Sequence, residues 1–201
     1  MDAFSYLSVL LSIIIGLGIT QLLAATGRLI RGRAVVRSYW PPLLWAGILL
    51  VIYVQMWWSM FGLRARTAWT FLAFFIVLLQ TVVFYMATSL VLPENVTEPS
   101  DVGGPSSPAD GGTVCDLRAH YERQVPWFFG FFATTVVVSM VKEEVFEGRL
   151  PVGANLAFHL FLLVGAALAV LVRRPRFHEG LAVVNAAAIA VYIAALFSRL
   201  R

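Results

Sequence analysis

"MDAFSYLSVLLSIIIGLGITQLLAATGRLIRGR", residues 1–33, carries no charged side chain between Asp2 and Arg28. A helix needs roughly 20 apolar residues to cross a hydrocarbon core about 30 Å thick, and this run supplies them. A secretory signal would have a basic start and an apolar core of about 7–15 residues; here the run is longer and only Asp2 precedes it as a charge. The segment therefore reads as a membrane helix that stays in the protein. Within it, small or hydroxylated residues recur at every fourth position, Ser8, Ser12, Gly16, Thr20 and Ala24. One stripe of the helix is thus thin and weakly polar, suited either to close packing on another helix or to a water-filled pore.

The same length criterion picks out 4–26, 41–62, 69–92, 126–147, 154–173 and 180–199 as spans. The expected class is all-α, a polytopic membrane protein built as a bundle of six transmembrane helices. Residues 1–92 would hold the first three helices, 93–125 a polar loop and 126–201 the last three. Pro41 and Pro42 fall in the first turn of the second span, where a missing N–H does no harm. Trp40 and the Trp57/Trp58 pair would be separated by about 26 Å of helix rise, a spacing that suits aromatic anchors at two membrane interfaces.

Composition agrees. The 201 residues are 60% hydrophobic and 13% charged, well below the charge content of soluble domains, which is about a quarter. The formal charge of +4 is gathered in short connections beside apolar runs, which describes loops bordering lipid, and a nucleic-acid partner is not expected. Cys115 is the single cysteine, so one chain can form neither a disulfide nor a cysteine metal site. No nucleophile with its base, phosphate loop or zinc-protease helix is present, and neither catalysis nor a cofactor is expected.

Between the third and fourth spans lies "PENVTEPSDVGGPSSPADGGTVCDLRAHYERQ", residues 93–124, rich in Pro, Gly, Ser and acids. Such a segment buries little and reads as a surface loop; its Asn95-Val96-Thr97 matches a glycosylation acceptor. By the positive-inside rule an outside N-terminus places nine basic residues in the cytoplasm, Arg28, Arg31, Arg33, Arg37, Arg118, Arg123, Arg173, Arg174 and Arg176. The reverse places six there, Arg64, Arg66, Lys142, Arg149, Arg199 and Arg201. "TQLLAATGRLI" (20–30) and "VKEEVFEGRLP" (141–151) both carry Gly-Arg-Leu after a span, so two inverted three-helix halves are one arrangement open to the chain.

Polar groups inside apolar spans cost free energy unless paired or wet, which singles out Gln21, Gln55, Gln80 with Thr81, and His159 with Asn155. Interhelical hydrogen bonding, at about 0.6–2 kcal/mol each, and a solute or ion path are both open readings for them. Lys142, Glu143 and Glu144 crowd the end of the fourth span, where the helix dipole disfavours carboxylates. They read either as a solvated helix end or as charges at a vestibule mouth. A second every-fourth stripe, Ala182, Ala186, Ala190, Ala194 and Ser198, marks the last span.

Phe4-Ser5, "LLSII" (Leu10–Ile14) and "YWPPLLWAGILLVIYVQMWW" (39–58) resemble the first two helices of the prokaryotic six-helix potassium channels related to the endosomal and lysosomal potassium channel, which lack a TVGYG filter. The resemblance covers roughly the first three spans. It implies subunits assembled around a central pore lined by the first helix, an isoleucine constriction, for which Ile13 is the matching position, and a cytoplasmic N-terminus. On this reading Ser5, Ser8, Ser12 and Thr20 line the path. The expected function is a homo-oligomeric conduit for monovalent cations in a bacterial inner membrane. Two alternatives stand beside it: an accessory subunit of a larger membrane complex, docking other membrane polypeptides, and a small secondary transporter whose midplane site holds Gln55, Gln80 and His159.

Overall fold

The computed structural model describes residues 3–64, 69–94 and 115–197. The expected glycosylation acceptor at Asn95, together with Arg66, Ser198, Arg199 and Arg201, lies outside the described residues. The described residues form six helices: α1 (Ala3–Arg31), α2 (Trp40–Leu63), α3 (Phe71–Val91), α4 (Leu117–Glu147), α5 (Gly153–Leu171) and α6 (Pro175–Phe197). Each is long and apolar enough to cross a membrane, which suggests a multi-pass membrane protein. Two short strands, β1 (Val36–Arg37) and β2 (Cys115–Asp116), pair in parallel with Val36 opposite Cys115. They hold the α1–α2 link against the start of α4, at what we call the first end of the bundle.

Three boundaries differ from the sequence reading, each for a local reason. α1 continues past residue 26 to Arg31, with Arg28 and Arg31 in its last turn, where cations complement the dipole. The polar loop ends at 116 rather than 125. Asp116 caps α4 by accepting from the backbone N–H groups of Arg118 and Ala119 at 2.9 and 3.1 Å, and Leu117, Tyr121 and Val125 form a buried stripe with i, i+4 spacing. That stripe is hidden in sequence by the charges interleaved with it. α6 starts at Pro175, a residue favoured in the first turn, and so takes in His178.

The helices pack around α3 and α4, which share the most extensive contact; α1 lies on α2 and α3, α5 on α4, and α6 on α2 and α5. The buried centre is aromatic. Trp45 sits edge-on to Phe128, Phe129 and Phe132, with centroids 5.4, 5.4 and 5.7 Å away. Tyr53 packs against Phe84 at 4.7 Å and shares a hydrogen bond with Thr88 at 3.0 Å. Gly18 makes room for it, because a Cβ there would run into the Tyr53 phenol. The outer surface is apolar too, with Phe71, Leu171 and Val191 among its most exposed side chains, as a lipid-facing surface requires.

Candidate functional site

At the end opposite the β1–β2 pair, five helices part to leave a half-open cavity of about 510 Å³, within the size range of small-molecule sites. α2 contributes Gln55 and Ser59, α3 Gln80, α4 Ser139, Lys142 and Glu143, α5 Asn155 and His159, and α6 Tyr192. Ile52, Phe84, Phe132, Phe158 and Leu162 supply the apolar part of the wall. α1 takes no part.

A hydrogen-bonded run fixes one side. Asn155 Nδ2 donates to Glu143 Oε2 at 2.7 Å, tying the start of α5 to the last turns of α4. The Asn155 backbone carbonyl accepts from His159 Nδ1 at 2.8 Å. A carbonyl can only accept, so Nδ1 carries a proton, and Nε2 faces the Ser139 hydroxyl at 3.4 Å. The anomaly of acids at a helix C-terminus resolves in the same place. α4 runs on to Glu147 and closes on Gly148, which adopts the left-handed conformation (φ 68°) and donates its N–H to the Glu144 carbonyl, while Glu143 is held by Asn155.

Other groups on the wall have no such partner. Asn155 Oδ1 is buried and accepts no hydrogen bond. Gln80, only 8% exposed, and Lys142 have no hydrogen-bond or ion-pair partner among the described residues. A buried polar atom without a partner is costly, so Asn155 Oδ1 is completed by something that enters the cavity, water at the least, while Gln80 and Lys142 line the same cavity.

The structure thus brings together Gln55, Gln80, Asn155, His159, Lys142 and Glu143, six of the positions singled out from sequence, and leaves the others elsewhere. Glu144 is exposed outside the cavity. Gln21, half-buried on α1, reaches Glu94 Oε1 at a long 3.5 Å near the first end. The α1 positions do not line this cavity. Ser5 and Ser8 are half-buried, with the Ser8 hydroxyl donating to the Ser5 carbonyl at 2.9 Å. Ser12 and Thr20 are exposed, and Ile13, 56% exposed, points away from the rest of the chain. Among the described positions of the last-span stripe, only Ala182 is fully buried.

Ser139, Ser59 and Tyr192 were not singled out from sequence. Ser139 stands three residues before Lys142, on the same helix face, a spacing that could have flagged it; Tyr192 in an alanine-rich run gives no such signal. A further polar knot at the first end is structural. His178 Nε2 donates to the Val172 carbonyl at 3.0 Å and Nδ1 accepts from the Tyr121 hydroxyl at 3.1 Å, stapling α4 to the α5–α6 turn. Beside it, burial and then the charge of Glu179 push the Tyr39 phenol up from its ordinary value. No group of three or more His, Cys, Asp or Glu side chains able to hold a metal occurs among the described residues. Comparison with protein-family models, curated proteins and solved structures found no match.

Proposed function

We propose that the protein is a small secondary transporter of the lipid bilayer, which binds a polar solute in the five-helix cavity and carries it across. The observation that supports this reading is the convergence of polar side chains from five helices, Gln55, Gln80, Lys142, Asn155 and His159 among them, on one cavity of solute size, with the buried Asn155 Oδ1 left without a hydrogen bond. A solute offering both donors and acceptors would bond to these groups, and Phe84, Phe132 and Phe158 would cover its apolar part. A polar cavity displaced toward one end of the bundle fits one state of an alternating-access cycle. Inverted three-helix halves are a frequent source of such sites, although here the helix pairings differ between halves: α1 packs extensively on α3, whereas its counterpart α4 has no such packing on α6.

A homo-oligomeric pore for monovalent cations is the second reading. It is favoured by the outward exposure of Ser12, Ile13 and Thr20 on α1, a face that several copies could turn toward a shared axis. Flux into liposomes holding the purified protein separates the two, with potassium, sodium, amino acids and small organic acids as probes. A transporter gives saturable uptake and counterflow of one probe, and Gln80→Leu or Lys142→Gln lowers it about tenfold, the effect of losing one hydrogen bond of about 1.4 kcal/mol. Non-saturating cation flux that ignores both substitutions and rises in Ile13→Ala would overturn this in favour of the pore.

A further inference from the structure

A second hollow, of about 560 Å³, lies at the first end between the last turns of α1 and the first turns of α2. Its trough is almost wholly apolar, with Leu22 and Leu29 from one helix and Ala46 and Leu50 from the other. Apart from the Thr26 hydroxyl along the trough, it turns polar at the mouth, at Arg33 and Ser38. Ile30 and Leu43 on its rim are exposed, so the trough opens sideways, toward lipid, rather than into the bundle.

The shape fits half a bilayer. From Leu22 to Ile30, α1 rises about 12 Å at 1.5 Å per residue, against about 15 Å for one leaflet of a 30 Å hydrocarbon core. The charge at the mouth is one-sided, since no Asp or Glu occurs between Arg28 and Trp40 while Arg31, Arg33 and Arg37 do. Among those, Arg37 already lies 3.9 Å from Asp116. Arg33 reaches only the Ile30 carbonyl, at a marginal 3.5 Å, among the described residues. An occupant must therefore combine an acyl chain with an anionic head. Basic pockets between membrane helices select such lipids.

We infer that this groove is a binding site for one anionic phospholipid, its phosphate at Arg33 and Ser38 and one acyl chain along Leu22, Leu29 and Leu50. The site is independent of the five-helix cavity and does not rest on the transport reading. It places the lipid against the β1–β2 pair, because Val36 and Leu117 close its inner end.

Native mass spectrometry of the detergent-purified protein, offered phosphatidylglycerol or phosphatidylcholine with identical chains, tests the inference. One phosphatidylglycerol should be retained several-fold over phosphatidylcholine, and Arg33→Gln should bring the ratio close to one. Gly47→Phe should abolish retention of that single lipid, since position 47 lines the trough and a Cβ there meets no atom within 4 Å. Excess inorganic phosphate should not displace the lipid, because the acyl chain contributes to the hold. Equal retention of the two lipids, a preference indifferent to Arg33→Gln, displacement by phosphate alone, or a lipid-free dimer occupying this face would each overturn it. Arg33 is exposed, so its variant reads out even if Gly47→Phe does not fold.

Discussion

At the scale of single residues, the tightest constraint is the meeting of Gly18 with Tyr53. Tyr53 is fully buried, wedged against Phe84 and bonded to Thr88, so its ring has nowhere to retreat. Gly18→Leu should destabilise the protein by about 1–3 kcal/mol through overpacking. Tyr53→Phe, which removes only the hydroxyl, should cost about 0.6–1.7 kcal/mol, the range for polar contacts between membrane helices. Unfolding of the purified protein in mixed detergent micelles measures both; equal losses would mean that α1 adjusts around the new side chain. Cys115 offers a chemical probe of the first end. Burial, with Asp116 beside it, raises its thiol above the ordinary value, so less thiolate is present at neutral pH and alkylation is slowed. Maleimide labelling should therefore climb at a higher pH than for a free cysteine of pKa about 8.5, and the lag should vanish on unfolding in SDS.

Among the elements, α4 shows what the sequence disclosed and what it hid. Its apolar half was legible as a span because 126–141 is nearly continuous in apolar residues. Its first turns were not, because Arg118, His120, Glu122 and Arg123 outnumber the buried Leu117, Tyr121 and Val125, and a 3.6-residue stripe set among charges resembles a polar loop. Asp116 is the missing signal: an N-cap followed by a helical period. Asp116→Ala should remove the cap at a cost of about 1 kcal/mol and loosen Arg37, which lies 3.9 Å away. Amide exchange would then rise over residues 117–121 and in the β1–β2 pair, leaving the lower half of α4 unchanged; faster exchange throughout α4 would mean that the cap anchors the whole helix. The site was half legible for a related reason. Gln80 and His159 stand out because polar residues in apolar spans are rare, but nothing local tells which polar residues share a cavity. The stripe on α1 could be read, and its face could not: periodicity gives the angle between residues, not the direction of the neighbouring helix.

Taken as a whole, the molecule is polarised along the bundle axis. The first end holds the β1–β2 pair, the Tyr121–His178 staple and the arginines of the α1–α2 link; the other end holds the cavity with Lys142, Glu143 and Asn155. If the positive-inside rule governs, with nine basic residues against six, the first end is cytoplasmic and the cavity opens to the exterior; the potassium-channel resemblance implies the reverse. Single cysteines on a Cys115→Ser background decide this, using an impermeant maleimide on intact cells. Ala34→Cys marks the first end and Arg149→Cys the other, both at exposed positions. The charge rule predicts labelling of Arg149→Cys from outside and of Ala34→Cys only after permeabilisation. Ser139→Cys, on the cavity wall, should follow Arg149→Cys whichever orientation holds, since both lie toward the end of the bundle away from the β1–β2 pair. A transported solute should slow its labelling without affecting Arg149→Cys, because it occupies the cavity and not the loop. Labelling of Ser139→Cys together with Ala34→Cys would mean that the wall is reached from the first end, and a solute site entered from the other end, on which the transport reading stands, would have to be given up.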